Sequence, residues 1–221
     1  MRIALAAAAR TLGEEMAKIL ENLNNTIIAG VVLAVVLLIV VGWWHGEGVA
    51  FDQAWWSFLF RWLHVLGGIM WIGILYYFNF VQIPNMPKIP DDQKPAIGKV
   101  IAPAALFWFR WAALATVATG VVLALMNEYF SDAITFGILG AATDGHVLRH
   151  TAIGIGMWLG IIMAANVWMI IWPNQKRALG IVEVEPDRKA RSARYAMLAS
   201  RTNTMLSIPM LYSMVSAQNV Y

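Results

Sequence analysis

Residues Thr26–Trp44 read TIIAGVVLAVVLLIVVGWW, an unbroken run without one ionisable side chain. About 20 predominantly apolar residues are needed to cross the ~30 Å hydrocarbon core of a bilayer. This stretch therefore predicts a transmembrane helix and sets the class of the whole chain. The rest of the composition agrees: 60% of the 221 residues are hydrophobic and 13% are charged. Soluble domains carry about 45–50% and about 25% respectively, so a soluble enzyme is excluded. Cysteine is absent, which removes disulfides, thiolate metal sites, iron–sulfur clusters and c-type haem attachment together.

Working outward, four more stretches read as spans: about 55–82, 101–127, 147–172 and 195–218. The last is the least apolar and holds Arg201, Asn203 and Pro209. The expected fold is an all-α, five-span membrane helix bundle over residues 26–221. Basic residues test the set. Arg2, Arg10 and Lys18 precede the first span. Lys88, Lys94 and Lys99 lie between the second and third. Lys176, Arg177, Arg188, Lys189, Arg191 and Arg194 lie between the fourth and fifth. Residues 45–54 and 128–146 contain no Lys or Arg. This alternation requires the fifth span. It places the N-terminus in the cytoplasm and the C-terminus in the periplasm of a bacterial inner membrane. Trp43, Trp44, Trp55 and Trp56 would form the outer belt, and Trp168 and Trp172 the inner one.

Residues 1–25 read as an amphipathic interfacial helix, with Leu5, Ala9, Leu12, Met16, Ile19, Leu20 and Leu23 turned toward lipid. The segment QIPNMPKIPDDQKP carries Pro84, Pro87, Pro90 and Pro95 and is expected to be extended and non-helical.

Ionisable groups at membrane depth are costly and mark function by default. Here they are Arg61, His64, Arg110, Arg149, His150 and Arg201. With His45 and His146, all four histidines fall in the outer half. His64 has Gly68 one turn deeper on its own face, and His150 has Gly154 in the same relation. A glycine one turn from an imidazole leaves a flat slot, which haem b held between two membrane helices needs. His64 and His150 are the candidate ligands to haem iron. Arg61 and Arg149 are candidates for the propionates by charge-assisted bonding. Other readings stand beside this one. Gly156 and Gly160 form a G-x-x-x-G, a common packing motif. His146 and His150, with Asp144, could bind a metal. Arg110 and Arg201 could snorkel or pair with loop carboxylates. His64 also lies about six residues deeper in its span than His150, roughly 9 Å at 1.5 Å per residue. That gap closes only if the second span begins later or the fourth earlier.

The segments RWLHVLGGIMWIGILYYFNFVQ, HTAIGIGMWLGIIMAANVWMIIWPNQ and ASRTNTMLSIPMLYSM resemble the N-terminal membrane domain of the bacterial membrane-bound urate hydroxylases (PuuD type). The resemblance runs from about Trp55 to Met214. NVWMIIWPNQ and SRTNTMLSIPML are its most specific parts. More distantly, the histidine setting resembles copper-resistance D and HemJ-like membrane proteins, which are associated with haem. The resemblance implies a membrane oxidoreductase that oxidises urate and passes electrons to a cytochrome c domain outside the membrane. Carried over, it points to His64 and His150, with Asn166, Asn203 and Arg201 in the polar motifs. The 221 residues hold no cytochrome domain, so electrons would leave through a separate cytochrome or a quinone. The competing expectation is an accessory subunit of a larger respiratory or photosynthetic complex. A transporter is a weaker alternative, since no inverted repeat is visible. Hydrolytic motifs are absent, and the basic residues are too dispersed for a nucleic-acid surface.

Overall fold

The computed structural model describes residues 12–44, 50–138 and 147–221. These are helices joined by turns, with no strand among the described residues. The chain divides into two compact units, Met1–Asp52 and Gln53–Tyr221.

The first unit holds α1 (12–20) and α2 (Leu23–Trp44). The break between them is made by Asn22. Its Oδ1 accepts the backbone N–H groups of Asn24 at 2.9 Å and Asn25 at 3.3 Å, capping donors that the first turn of α2 cannot satisfy itself. Of the segment 1–25 expected as one amphipathic helix, residues 12–20 form α1, α2 already begins at Leu23, and residues 1–11 lie outside the described residues. None of the α2 residues is buried. An all-apolar helix with no buried face is suited to lipid.

The second unit is a bundle of four long helices. They are α3 (Gln53–Tyr76), α4 (Ala102–Met126), α6 (Val147–Ala165) and α7 (Pro186–Asn219), with the short α5 (Phe130–Ile134) between α4 and α6. α3 packs on α4, α4 on α6, α6 on α7, and α7 on α3. Trp71, Leu75, Leu106, Phe109, Met163 and Ile171 fill the centre. With their extensions, Gln53–Lys88, Lys94–Met126 and Val147–Ala178 join Leu23–Trp44 as helices long and apolar enough to cross a membrane. α7 is not among them.

The fifth span expected at about 195–218 is thus a long helix that lacks the apolar composition of the other four. Ser192, Ser200, Asn203, Ser207, Ser213 and Ser216 are buried against the bundle, whereas Leu198, Met205, Ile208, Leu211 and Val215 are exposed. Arg188, Lys189, Arg191, Arg194, Arg201 and Thr202 are exposed as well, so the outward side of α7 is not continuously apolar as lipid would require.

Three π-helical segments interrupt the bundle: Tyr77–Gln82, Ile97–Ile101 and Asn166–Ile171. Each ends two residues before a proline (Pro84, Pro103 and Pro173). In each case the residue just before the proline donates its N–H five residues back: Ile83 to Phe78, Ala102 to Ile97 and Trp172 to Val167. Proline has no N–H, and its ring clashes with the carbonyl four residues earlier. A widened turn relieves that clash without ending the helix.

The proline-rich segment is therefore not the extended stretch expected from its composition. Ile83–Asn85, Met86–Lys88 and Lys94–Ala96 are short helical turns, each with a proline in its first two positions. At Pro95, which opens a turn after non-helical residues, the missing N–H would have had no helical acceptor anyway, whereas Pro84 is accommodated by the widened turn before it. Extended backbone appears at Ile89 (φ −86°, ψ 131°).

Candidate functional site

A cavity of about 640 Å³ opens between α3, α4, α6 and α7, within the size range of small-molecule and cofactor sites. Its wall is mostly apolar. Arg61, His64 and Gly68 line it, as do Trp71, Tyr76, Thr116, Tyr129 and the thioethers of Met157, Met210 and Met214.

His64 is held in one orientation. Its Nδ1 lies 2.8 Å from the carbonyl oxygen of Thr116. A carbonyl only accepts, so Nδ1 carries the proton and Nε2 keeps a free lone pair. The ring comes close to Gly120, where an added Cβ would lie 2.8 Å from Cε1 and 3.0 Å from Nδ1. Thr116 and Gly120, one turn apart on α4, thus form the seat for His64. Nothing in the local sequence of α4 marks them, because their role depends on which helix packs opposite.

His150 is buried but does not line the cavity. Its imidazole stacks on Tyr129, which does, with ring centroids 6.5 Å apart. Its Nδ1 is 3.6 Å from Asp132 Oδ2 on α5. Arg149 is exposed. Tyr129 lies outside the long helices, and burial pushes its phenol above the usual value, opposed by the positive charges of Arg61 and Arg149. Of the two arginines expected to meet propionates, Arg61 lines the cavity and Arg149 does not. The slot expected beside His150 is filled. A Cβ on Gly154 would run into the carbonyl oxygen of Ala133, so this glycine admits α5. Thr151 Oγ1 bonds the Phe136 carbonyl at 2.7 Å and Trp158 Nε1 the Ile134 carbonyl at 3.0 Å, pinning the same contact. α3 begins at Gln53, earlier than expected, so the depth offset between His64 and His150 does not close from that side.

Asn166 and Asn203, singled out by their polar motifs, meet. Asn166 Nδ2 donates to Asn203 Oδ1 at 2.9 Å, and Asn203 Nδ2 donates to the Met163 carbonyl at 2.9 Å. Tyr76, which lines the cavity, shares a 2.9 Å hydrogen bond with Ser207, and Asn79 Nδ2 donates to Ser200 Oγ at 2.8 Å. Asn79 and Asn166 both lie in π-helical turns. Arg201 is exposed and takes no part. Arg110 does not pair with a loop carboxylate: its Cζ sits 3.4 Å above the Trp172 ring.

His45, His146 and Asp144 lie outside the described residues. Among the described residues no group of three or more His, Asp or Glu side chains could hold a metal ion.

A family model described as "Urate oxidase N-terminal" matches residues 140–220. The match takes in α6 and α7 with the Asn166–Asn203 pair and His150, and it stops short of the helix that carries His64. No curated protein and no solved structure matches the chain. Over its C-terminal stretch, then, this helical protein with several helices able to cross a membrane is similar to the urate oxidase N-terminal family.

Proposed function

We propose that the chain is an integral membrane redox protein in which His64 holds haem b inside the cavity. Electrons would pass to a separate cytochrome or quinone in urate-linked chemistry. The observation that carries this reading is the Nδ1–H bond from His64 to the Thr116 carbonyl. A backbone carbonyl on one imidazole nitrogen fixes the tautomer and makes the other nitrogen a better ligand.

The residues present fit the group. Nε2 of His64 would be the ligand, Arg61 one turn away would meet a propionate, and the apolar wall would exclude water. Bound haem would supply one-electron redox chemistry. His150 lies behind Tyr129 and does not line the cavity, while Met157, Met210 and Met214 present thioether sulfur within it and would be further ligands for the iron. Urate itself, a polar purine, would leave donors and acceptors unmet against Val65, Ile69, Ile72 and Val117. The cavity is better suited to a macrocycle than to that substrate.

A reduced-minus-oxidised spectrum of the purified chain, with a pyridine haemochrome assay, tests the reading. A b-type band that disappears in His64→Ala supports it. A blank spectrum from cells making ample haem would end it.

The second reading, an accessory subunit of a larger membrane complex, draws on α2, a long apolar helix none of whose residues is buried. Co-purification with a stable complex in mild detergent, without haem of its own, would favour it.

A further inference from the structure

At the end of the bundle opposite the cavity, Trp172 carries two cations. Arg110 Cζ lies 3.4 Å and Lys176 Nζ 5.6 Å from its ring centroid. Beside it, Trp168 packs edge-on against Trp111 at 5.5 Å. Arg110 Nη1 and Trp168 Nε1 are both buried and have no hydrogen-bond acceptor. Among the described residues no carboxylate lies within ion-pair distance of Arg110 or Lys176. The site is therefore made of donors only, and a buried guanidinium N–H left unmet is costly.

Its surroundings indicate what would meet it. Val147–Ala178 is 32 residues long, roughly 48 Å at 1.5 Å per residue, against a hydrocarbon core of about 30 Å. Trp172 lies within roughly 9 Å of the end of that helix, at headgroup level. The segments joining at this end, 83–101 and 172–195, hold nine Lys or Arg against five Asp or Glu. Gly98 approaches Leu179, which shows that the two segments share one end. Outside the site, Phe107, Trp108 and Met169 are exposed, an apolar surface fit for acyl chains.

We propose that the guanidinium nitrogens of Arg110 other than the buried Nη1, together with Lys176, bind the phosphate of an anionic phospholipid, with Trp172 holding the guanidinium in place. The arginine fork suits two phosphate oxygens, and basic pockets between membrane helices recognise such headgroups.

The test is thermal unfolding of the full chain in detergent with added phosphatidylglycerol, phosphatidylcholine or inorganic phosphate. Phosphatidylglycerol should raise the midpoint above that in phosphatidylcholine. The increment should vanish in Arg110→Gln and shrink in Lys176→Gln, and inorganic phosphate should produce none. Equal midpoints in the two lipids would overturn the proposal, as would a full response in Arg110→Gln. A response to inorganic phosphate matching that to the lipid would overturn the lipid assignment. If Arg110→Gln does not fold, native mass spectrometry decides. The wild type should retain phosphatidylglycerol preferentially and Lys176→Gln should lose it; equal retention of both lipids by the wild type would sink the idea.

Discussion

Asn166 on the widened turn of α6 donates to Asn203 of α7 at 2.9 Å, and Asn203 is fully buried. Replacing one partner strands the other. Asn203→Ala should destabilise the bundle by about 1–3 kcal/mol, the cost of an unmet buried polar group. The pair itself should show a smaller coupling, about 0.6 kcal/mol as is typical between membrane helices. Denaturation midpoints of the wild type, Asn166→Ala, Asn203→Ala and the variant carrying both would measure both values. Zero coupling would mean that the two amides do not cooperate.

Two buried glycines of α6 should behave oppositely. Gly154 faces the Ala133 carbonyl, so Gly154→Ala must push α5 away and should cost roughly 1–3 kcal/mol. Nothing lies within 4 Å of a Cβ at Gly160, and Gly160→Ala should be neutral or stabilising by up to about 1 kcal/mol. Thermal midpoints of the two variants in one detergent distinguish the positions. Equal effects would contradict the packing of α5 on α6.

The seat of His64 can be disturbed without touching the imidazole. In Gly120→Ala the new methyl meets Cε1 and Nδ1, at 2.8 and 3.0 Å, and must displace the ring. Haem content per chain should fall several-fold or its α-band should shift. Gly73→Ala, on the same cavity but in open space, should change neither. If both variants bind haem as the wild type does, His64 is not the ligand.

Burial raises the phenol of Tyr129 above its unfolded value of about 10. The folded state therefore holds this proton to higher pH than the unfolded state does. The associated stability is complete below pH ~10 and is lost as pH rises from there through the folded pKa. In Tyr129→Phe the alkaline fall in thermal midpoint should be shallower. Identical slopes above pH ~10 would show that Tyr129 does not contribute to it.

Much of the architecture was legible because lipid imposes a simple rule. Charge-free runs such as Thr26–Trp44 become helices, and the polar punctuation of α6 and α7 marks residues that find one another. Composition misled at the proline-rich segment, since proline's effect depends on where in a helical turn it falls. Pro84, Pro103 and Pro173 widen the turn before them and let the helix continue, while Pro87 and Pro95 open short turns.

By itself, then, the sequence determined the helical class, the helices long and apolar enough to cross a membrane, and several residues with chemistry to offer: His64, Arg61, Asn166 and Asn203. Tertiary structure decided which of them act together. Whether a glycine beside a histidine leaves a slot depends on the opposite helix. Gly120 of α4 receives His64, whereas Gly154 receives α5. Periodicity along one helix gives a face but not its partner, so Thr116, Tyr129 and Arg110 acquire roles only when helices pack. α7 likewise buries its serines and Asn203 while Arg201, Met205 and Ile208 face outward, because the bundle packed against it, and not its own sequence neighbours, selects the inner face.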